Sequence, residues 1–250
     1  MAPFDLEWMQ PLTEAARNPN SAATPCRACR VRHMTVCGSL AENELADLAA
    51  LSQGLELESG APLFDEGEPA AHVFNVVEGT LKIYKLLPDG RRQMVGFLFA
   101  GDFLGLANND NYAYSAEAVT HAAVCRFPRA RFEALLDRYP KLQTSLFNVA
   151  NHELAVAQEQ MMLLGRKTAK EKIASFLLTL SERAEVRGAS ANPVCVPMSR
   201  ADIGDYLGLT TETVSRTFTQ LRGKELIALH NGGQVALRDP AALQRLSQGL

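Results

Sequence analysis

Three cysteines stand close together in "TPCRACRVRHMTVCG", residues 24–38. Cys26, Cys29 and Cys37 are three of only five in the chain. Their Cys-x2-Cys-x7-Cys spacing puts three soft sulfur donors in one loop. Such a loop can close on zinc, form disulfides or hold an iron–sulfur cluster. A fourth sulfur is on offer from Cys125, in "AAVCRFPRARF", or from Cys195. Cys195 lies between Val194 and Val196 and is expected in the core. Paired Cys-x2-Cys knuckles would favour zinc, and here there is one. A catalytic cysteine would need a His/Asp arrangement beside it, and only His33 is near, so an enzyme is not expected. The odd cysteine count argues against a disulfide framework, and "MAPFDLEWMQ" lacks the basic-then-apolar pattern of a secretory leader. No apolar run approaches membrane-spanning length, so a cytoplasmic protein without a membrane partner is expected.

A second chemistry is written in "MSRADIGDYLGLTTETVSRTFTQLRGKELI", residues 198–227. Ser199 with Asp202 three residues on can cap a helix whose packing face is Ala201, Ile203 and Leu207. Gly208 stands where a left-handed helix terminator is needed. Thr210 or Thr211 caps a second helix, with Val214, Phe218 and Leu221 turned inward. Helix, tight turn and helix make a helix-turn-helix unit. The second helix then presents Glu212, Ser215 and Arg216 to the major groove. Arginine can donate to guanine, glutamate can accept from cytosine, and serine adapts. "LIALHNGGQVAL" follows as a hairpin, a wing beside that helix. Charge agrees. Residues 166–224 hold ten Lys/Arg and six Asp/Glu, a balance of +4, which leaves −7 for the rest of a chain whose total is −3. A basic module on an acidic body suits a polyanion.

The elements that must position these groups are legible too. With 250 residues, 47% hydrophobic, the chain has room for two modest domains. Residues 1–25 read as a flexible N-terminal arm. Residues 41–53 read as a short helix with Leu45, Leu48 and Leu51 on one side. Residues 55–130 alternate short apolar runs with turn signals such as "EGT" and "PDG", which predicts a small antiparallel β-roll. From Tyr139 the period becomes helical. Phe147, Ala150, Leu154, Ala157, Met161 and Leu164 form an unbroken heptad seam. Val149, Val156 and Leu163 supply a second apolar face toward the helix's own domain, so the seam is expected to pair two copies in a homodimer. Thr168 and Glu171 form a capping box for the next helix, with Ile173, Phe176, Leu177 and Leu180 buried. The fold class is therefore α+β. Residues 26–138 are the sensor domain, 139–165 the dimerisation helix and 166–250 the DNA-binding domain.

A β-roll, a long helix and a winged helix-turn-helix together resemble the cAMP receptor protein/FNR family of bacterial transcription regulators, over about residues 25–250. "IGDYLGLTTETVSR" is close to the family's signature. The resemblance implies a cyclic-nucleotide-binding-like β-roll. It implies that Glu212, Ser215 and Arg216 read half-sites of a TTGAT-type inverted repeat in double-stranded DNA. Phosphate contacts would come from around Ser199, Arg200 and Thr211. It also implies contact with RNA polymerase through β-roll loops, for which the "LLPDGRRQ" turn, 86–93, is a candidate.

Nucleotide sensors of this family carry an arginine that pairs with the cyclic phosphate. "GDFLGLANNDNYAYSAEAV" has no Arg or Lys between Gly101 and Val119, so no cyclic nucleotide is expected. Cys125 matches the distal cluster ligand of FNR, and "RHMTVCG" looks like the FnrL-type branch. The implied cofactor is a [4Fe–4S] cluster on Cys26, Cys29, Cys37 and Cys125, held without oxygen and destroyed by it. DNA binding would be switched on and off accordingly. A zinc or disulfide regulator without the cluster is the alternative. Arg27, Arg30 and Arg32, with His33, are expected to lower the thiol pKa values. Val36, beside Cys37, is a candidate shield. One departure stands out. Well-studied FNR proteins carry an acidic residue on the dimer helix, and Ala157 occupies that place.

Overall fold

The computed structural model describes residues 24–106 and 110–250; the arm expected over 1–25 lies, except for its last two residues, outside the described residues. The cysteine segment is α1 (Thr24–Arg27) followed by two 3-10 turns, Arg32–Met34 and Val36–Ser39. α2 (Glu42–Ala49) comes next, with Glu44 reaching back to the Ala41 N–H at 2.8 Å. It buries Leu45 and Leu48 as expected. It stops before Leu51, because the backbone from Gln53 joins a sheet.

The β-roll follows: β1 (Gln53–Leu57), β2 (Pro62–Phe64), β3 (His72–Glu78), β4 (Thr80–Leu86), β5 (Arg92–Phe99), β6 (Phe103–Leu104), β7 (Ser115–Ala118) and β8 (Ala122–Pro128). They form two four-stranded sheets, in the orders β1-β8-β3-β6 and β2-β7-β4-β5. Every pairing is antiparallel. The core between the sheets is aliphatic around a cluster of aromatics. Phe64 stacks on Tyr112 with ring centres 3.8 Å apart, and Phe74 lies 5.6 Å from Phe64.

α3 (Arg129–Arg138) leads into α4 (Pro140–Arg166). Leu142, at the start of α4, is fully buried with Val36 and Leu40 of the cysteine segment and with Phe103, Phe127 and Phe132. α5 (Ala169–Val186) begins with the expected capping box of Thr168 and Glu171. β9 (Val194–Cys195), α6 (Arg200–Leu207), α7 (Thr211–Gly223), β10 (Ile227–Leu229), β11 (Gln234–Leu237) and α8 (Pro240–Ser247) complete the chain. β10, β11 and β9 make a small third sheet.

The two halves share a core. Met94, Phe97 and Phe99 of β5 pack in one cluster with Ile173, Phe176, Ile203 and Leu207. Phe97 lies 5.3 Å from the Tyr206 ring. Among the described residues no helix is long and apolar enough to cross a membrane.

Gly79 shows how tightly the β-roll closes. Its φ is +82°, and a Cβ there would sit 2.2 Å from the His121 carbonyl oxygen. Gly79→Ala is therefore expected to destabilise the protein by more than about 1 kcal/mol, measured by urea unfolding, with no compensating contact.

Candidate cysteine site and DNA-reading surface

The four cysteines gather at one end of the β1-β8-β3 sheet. Cys125 sits on β8, opposite Gly54 of β1 and Asn75 of β3. Cys26 Sγ lies 4.0 Å from Ser52 Oγ, next to the start of β1. Cys37 Sγ accepts a hydrogen bond from Asn75 Nδ2 at 3.1 Å. Asn75 is 2% exposed, and its Oδ1 is buried without a hydrogen-bond partner. Cys37 and Cys125 both pack against the core that holds Leu142. All four thiols are half-buried and free.

Burial dominates their acidity. It pushes Cys125 up to about 12 and Cys37 up to about 11, and the neighbouring sulfurs push both further the same way. Cys26 is raised as well, chiefly by burial. This corrects the expectation that the basic loop lowers the thiol pKa values. Arg27 and Arg32 both pair with Glu42, and Arg32 also donates to the Leu40 carbonyl at 3.0 Å. Glu42 offsets part of their charge, and of the influences on Cys26 that of Arg32 comes last, behind burial. Val36 is 1% exposed, a core residue beneath the loop.

Four sulfurs near enough to raise one another's thiol pKa values fit an iron–sulfur group in kind, since such groups take thiolate ligands. Binding would have to displace thiol protons. Among the described residues no group of three or more His, Cys, Asp or Glu side chains is drawn together as ligands of one metal ion. Cys195 is not part of this gathering. Nor is it a core residue as expected: strand alternation buries Val194 and Val196 and turns Cys195 outward.

The DNA-reading unit is built by its caps. Ser199 Oγ accepts the Asp202 N–H at 3.0 Å, and Asp202 Oδ2 accepts the Ser199 N–H at 3.3 Å. Gly208 ends α6 at φ 62°. Gly204 is equally constrained, because a Cβ there would lie 2.6 Å from the Leu209 carbonyl oxygen. Thr210 caps α7 by accepting the Thr213 N–H at 3.2 Å. Val214, Phe218 and Leu221 are buried. Ile203 and Leu207 are buried too, but Ala201 is exposed, a correction to the expected packing face: Asp202, not Ala201, turns inward.

Thr211, Glu212, Ser215 and Arg216 are all exposed. The Glu212 carboxyl is held below its usual range by a backbone N–H at the start of α7 and by Thr210, so it stays an acceptor. Ser199 is exposed, whereas Arg200 lays its guanidinium over the Phe218 ring at 3.4 Å and braces the two helices. Lys170, at the start of α5, shares a surface groove with Thr213 and Arg216. Nothing in the local pattern of the sequence marks Lys170, because helix α5 meets α7 only in the fold. The wing is β10 and β11 joined through Asn231–Gly233, with Gly232 and Gly233 at positive φ.

On α4 the expected seam lies bare. Phe147, Leu154 and Met161 are 65%, 57% and 67% exposed, and Ala150 and Ala157 are exposed beside them. Leu164 is half-buried and turns toward Gly208. The opposite face is covered, with Leu142, Leu146 and Val149 in the core beneath the cysteine loop and Leu163 against the DNA-reading unit. A contiguous bare apolar stripe of this kind marks an interaction surface.

Residues 55–139 match the cyclic nucleotide-binding domain family, and residues 171–246 match the Crp-like helix-turn-helix domain family. The nitrogen fixation regulation protein FixK of Bradyrhizobium diazoefficiens is 43% identical over 89% of this chain and 93% of its own length. The transcriptional activator protein FnrL of Cereibacter sphaeroides is 37% identical over 87% of this chain and 90% of its own. The structure of FixK2 from Bradyrhizobium japonicum superposes with a TM-score of 0.73 at 37% identity, over 78% of this chain and 96% of that one. Members of this group bind DNA as dimers. The chain belongs to the CRP/FNR family of DNA-binding transcription regulators.

Proposed function

We propose that this regulator responds to oxygen through a [4Fe–4S] cluster held by Cys26, Cys29, Cys37 and Cys125. The observation that carries the reading is that Cys37 and Cys125 pack on the core that anchors α4, with Cys26 and Cys29 close enough to raise the Cys125 thiol. When bound, the cluster would supply an oxygen-labile link between the N-terminal loop and β8. The chain's own residues do the rest. Val36 and Leu40 pack on Leu142, so the order of the loop is felt at the start of α4. The bare seam of α4 pairs two copies. Pairing places two α7 helices on successive major grooves, about 34–36 Å apart along the duplex. There Glu212, Ser215 and Arg216 read each half of a TTGAT-type palindrome. Ser199 and Thr211, both exposed, would meet phosphate.

The reading makes no use of a cyclic nucleotide. Phe64, Phe74 and Tyr112 stack within the β-roll core, and residues 101–119 offer no Arg or Lys to a buried phosphate. The β4–β5 hairpin tip, with Leu86 60% exposed and Leu87 40% exposed, is the surface offered to RNA polymerase.

Protein purified without oxygen is expected to be brown, to carry iron and sulfide, and to bleach in air with loss of palindrome binding. Cys125→Ser should be colourless and inactive on that DNA in either atmosphere. A colourless wild type holding stoichiometric zinc, or one whose binding ignores air, would sink the cluster. Arg216→Ala should cost about 1–3 kcal/mol of specific binding and relax the preference at the guanine it reads, measured by titration of matched and substituted duplexes. Leu154→Glu should sediment as a monomer and lose the palindrome.

A further inference from the structure

The sensor domain grips the first helix of the DNA-reading unit through one carboxylate. Asp202 is 6% exposed. Its Oδ2 belongs to the α6 cap, accepting from Ser199 N–H and from Ser199 Oγ at 2.6 Å. Its Oδ1 faces the other way. It takes Lys82 Nζ of β4 at 3.2 Å and Arg92 Nη2 of β5 at 2.9 Å. Arg92 Nε reaches Asp205 Oδ2 at 3.2 Å, and Gln93 Nε2 donates to the Asp205 carbonyl at 3.1 Å. Lys82 is itself 8% exposed and also pairs with Glu117 of β7 at 2.9 Å.

Buried Lys82 and half-buried Arg92 meet on one Asp202 oxygen while each also pairs with a second carboxylate, Glu117 and Asp205, so two cations and three carboxylates form one network across the junction. Burying charge is costly unless the geometry is held, so the arrangement fixes direction as well as charge. Lys82 and Arg92 come from neighbouring strands and approach the same atom, which sets both the position and the tilt of α6. α7 follows rigidly, because α6 and α7 share the Ile203, Leu207, Val214 and Phe218 core. α4 is tied to the same body by Gln160 Nε2, which donates to the Tyr206 carbonyl at 2.7 Å. The clamp leaves Glu212, Ser215 and Arg216 uncovered.

We propose that Lys82 and Arg92 are positioning residues for DNA binding, acting through Asp202 to hold α7 at the angle to α4 that a two-half-site operator demands. The proposal rests on α7 reading DNA. It predicts that the clamp matters for a palindrome, where two α7 helices must fit one duplex together. It does not matter for a single half-site, to which one DNA-reading unit can adjust freely.

The test uses the full chain with Lys82→Met, Arg92→Met and the double substitution, in whichever atmosphere the wild type binds. Affinity is measured on a palindrome and on a duplex of equal length carrying one half-site. Sedimentation follows dimerisation. The double variant should lose roughly tenfold on the palindrome, in the range expected for residues that couple two units. Half-site binding and dimerisation should be unchanged, and Lys82→Arg should keep most of the palindrome affinity. Unchanged half-site binding also shows that the variant has folded. Equal palindrome binding by wild type and double variant overturns the positioning role. Equal loss on both duplexes overturns it too, because it would place the damage inside the DNA-reading unit. A wild type with no preference for the palindrome would instead remove the DNA reading on which the proposal stands.

Discussion

The structure depends on a helix with two apolar faces, only one of which the chain itself covers. α4 has 27 residues and so runs about 40 Å. At its start Leu142 is sealed among Val36, Leu40 and three phenylalanines. Near its end Leu163 packs against the DNA-reading unit, and Gln160 holds the Tyr206 carbonyl. One face of α4 therefore touches both the loop that carries three cysteines and the unit that meets DNA. The other face is Phe147, Leu154 and Met161 in water. Hydrophobic burial is non-directional, so this stripe alone would accept many partners. The heptad spacing makes a second copy of the same helix the natural one.

The cysteine end has a different character from the rest of the sensor. The β-roll is cross-linked by long antiparallel ladders and a stacked aromatic core. The cysteine segment has a four-residue helix, two 3-10 turns and a few apolar anchors, Val31, Val36 and Leu40. Segments with so few buried contacts open at low free-energy cost. Thiols pushed up by burial are neutral at ordinary pH, so no ion pair of theirs ties the segment down. Asn75 gives its amide to Cys37 while its own oxygen is buried without a partner, an imperfect satisfaction that firmly packed cores avoid. Loose attachment at this end and firm attachment of α4 beyond it suit a segment whose order can change without unfolding the domain.

Much of this was legible from local pattern. Thr168 with Glu171 and Ser199 with Asp202 announced two helix starts. Gly208 announced a stop, and Asn231–Gly233 a hairpin. Each of these works through bonds within four residues. The seam was legible because period alone defines it. What escaped depends on partners far away in sequence. Ala201 is exposed and Asp202 buried because Asp202 finds Lys82 across 120 positions, a partner no local pattern shows. A lysine inside "TLKIYKL" and an asparagine inside "HVFNVVE" were the available signals, since each sits within the buried run of its strand. Cys195 failed for a simpler reason. Two flanking valines mean a buried neighbourhood in a helix, but in a strand they mean that the residue between them faces out. The arginines of the cysteine loop were read as free charge, and Glu42 takes two of them.

The seam also limits how pairing can be governed. Phe147, Ala150, Leu154, Ala157 and Met161 carry no charge, so nothing along the stripe drives two copies apart. Two acids lie on α4 between seam positions, Glu159 and Glu153, and the Glu153 carboxyl is raised by burial and by Asp102. Its electrostatic neighbours are Asp102, Arg183 and Tyr206, at the junction of β-roll, α4 and α6, not across the stripe. If the seam pairs two copies as proposed, control over pairing or operator fit enters α4 from its covered face. Two contacts lie on that face at opposite ends of the helix, the cysteine loop on Leu142 and the α6 junction at Tyr206. A helix this long transmits a shift at either end as a change in angle, and a dimer bound to two fixed half-sites is sensitive to angle before it is sensitive to dissociation.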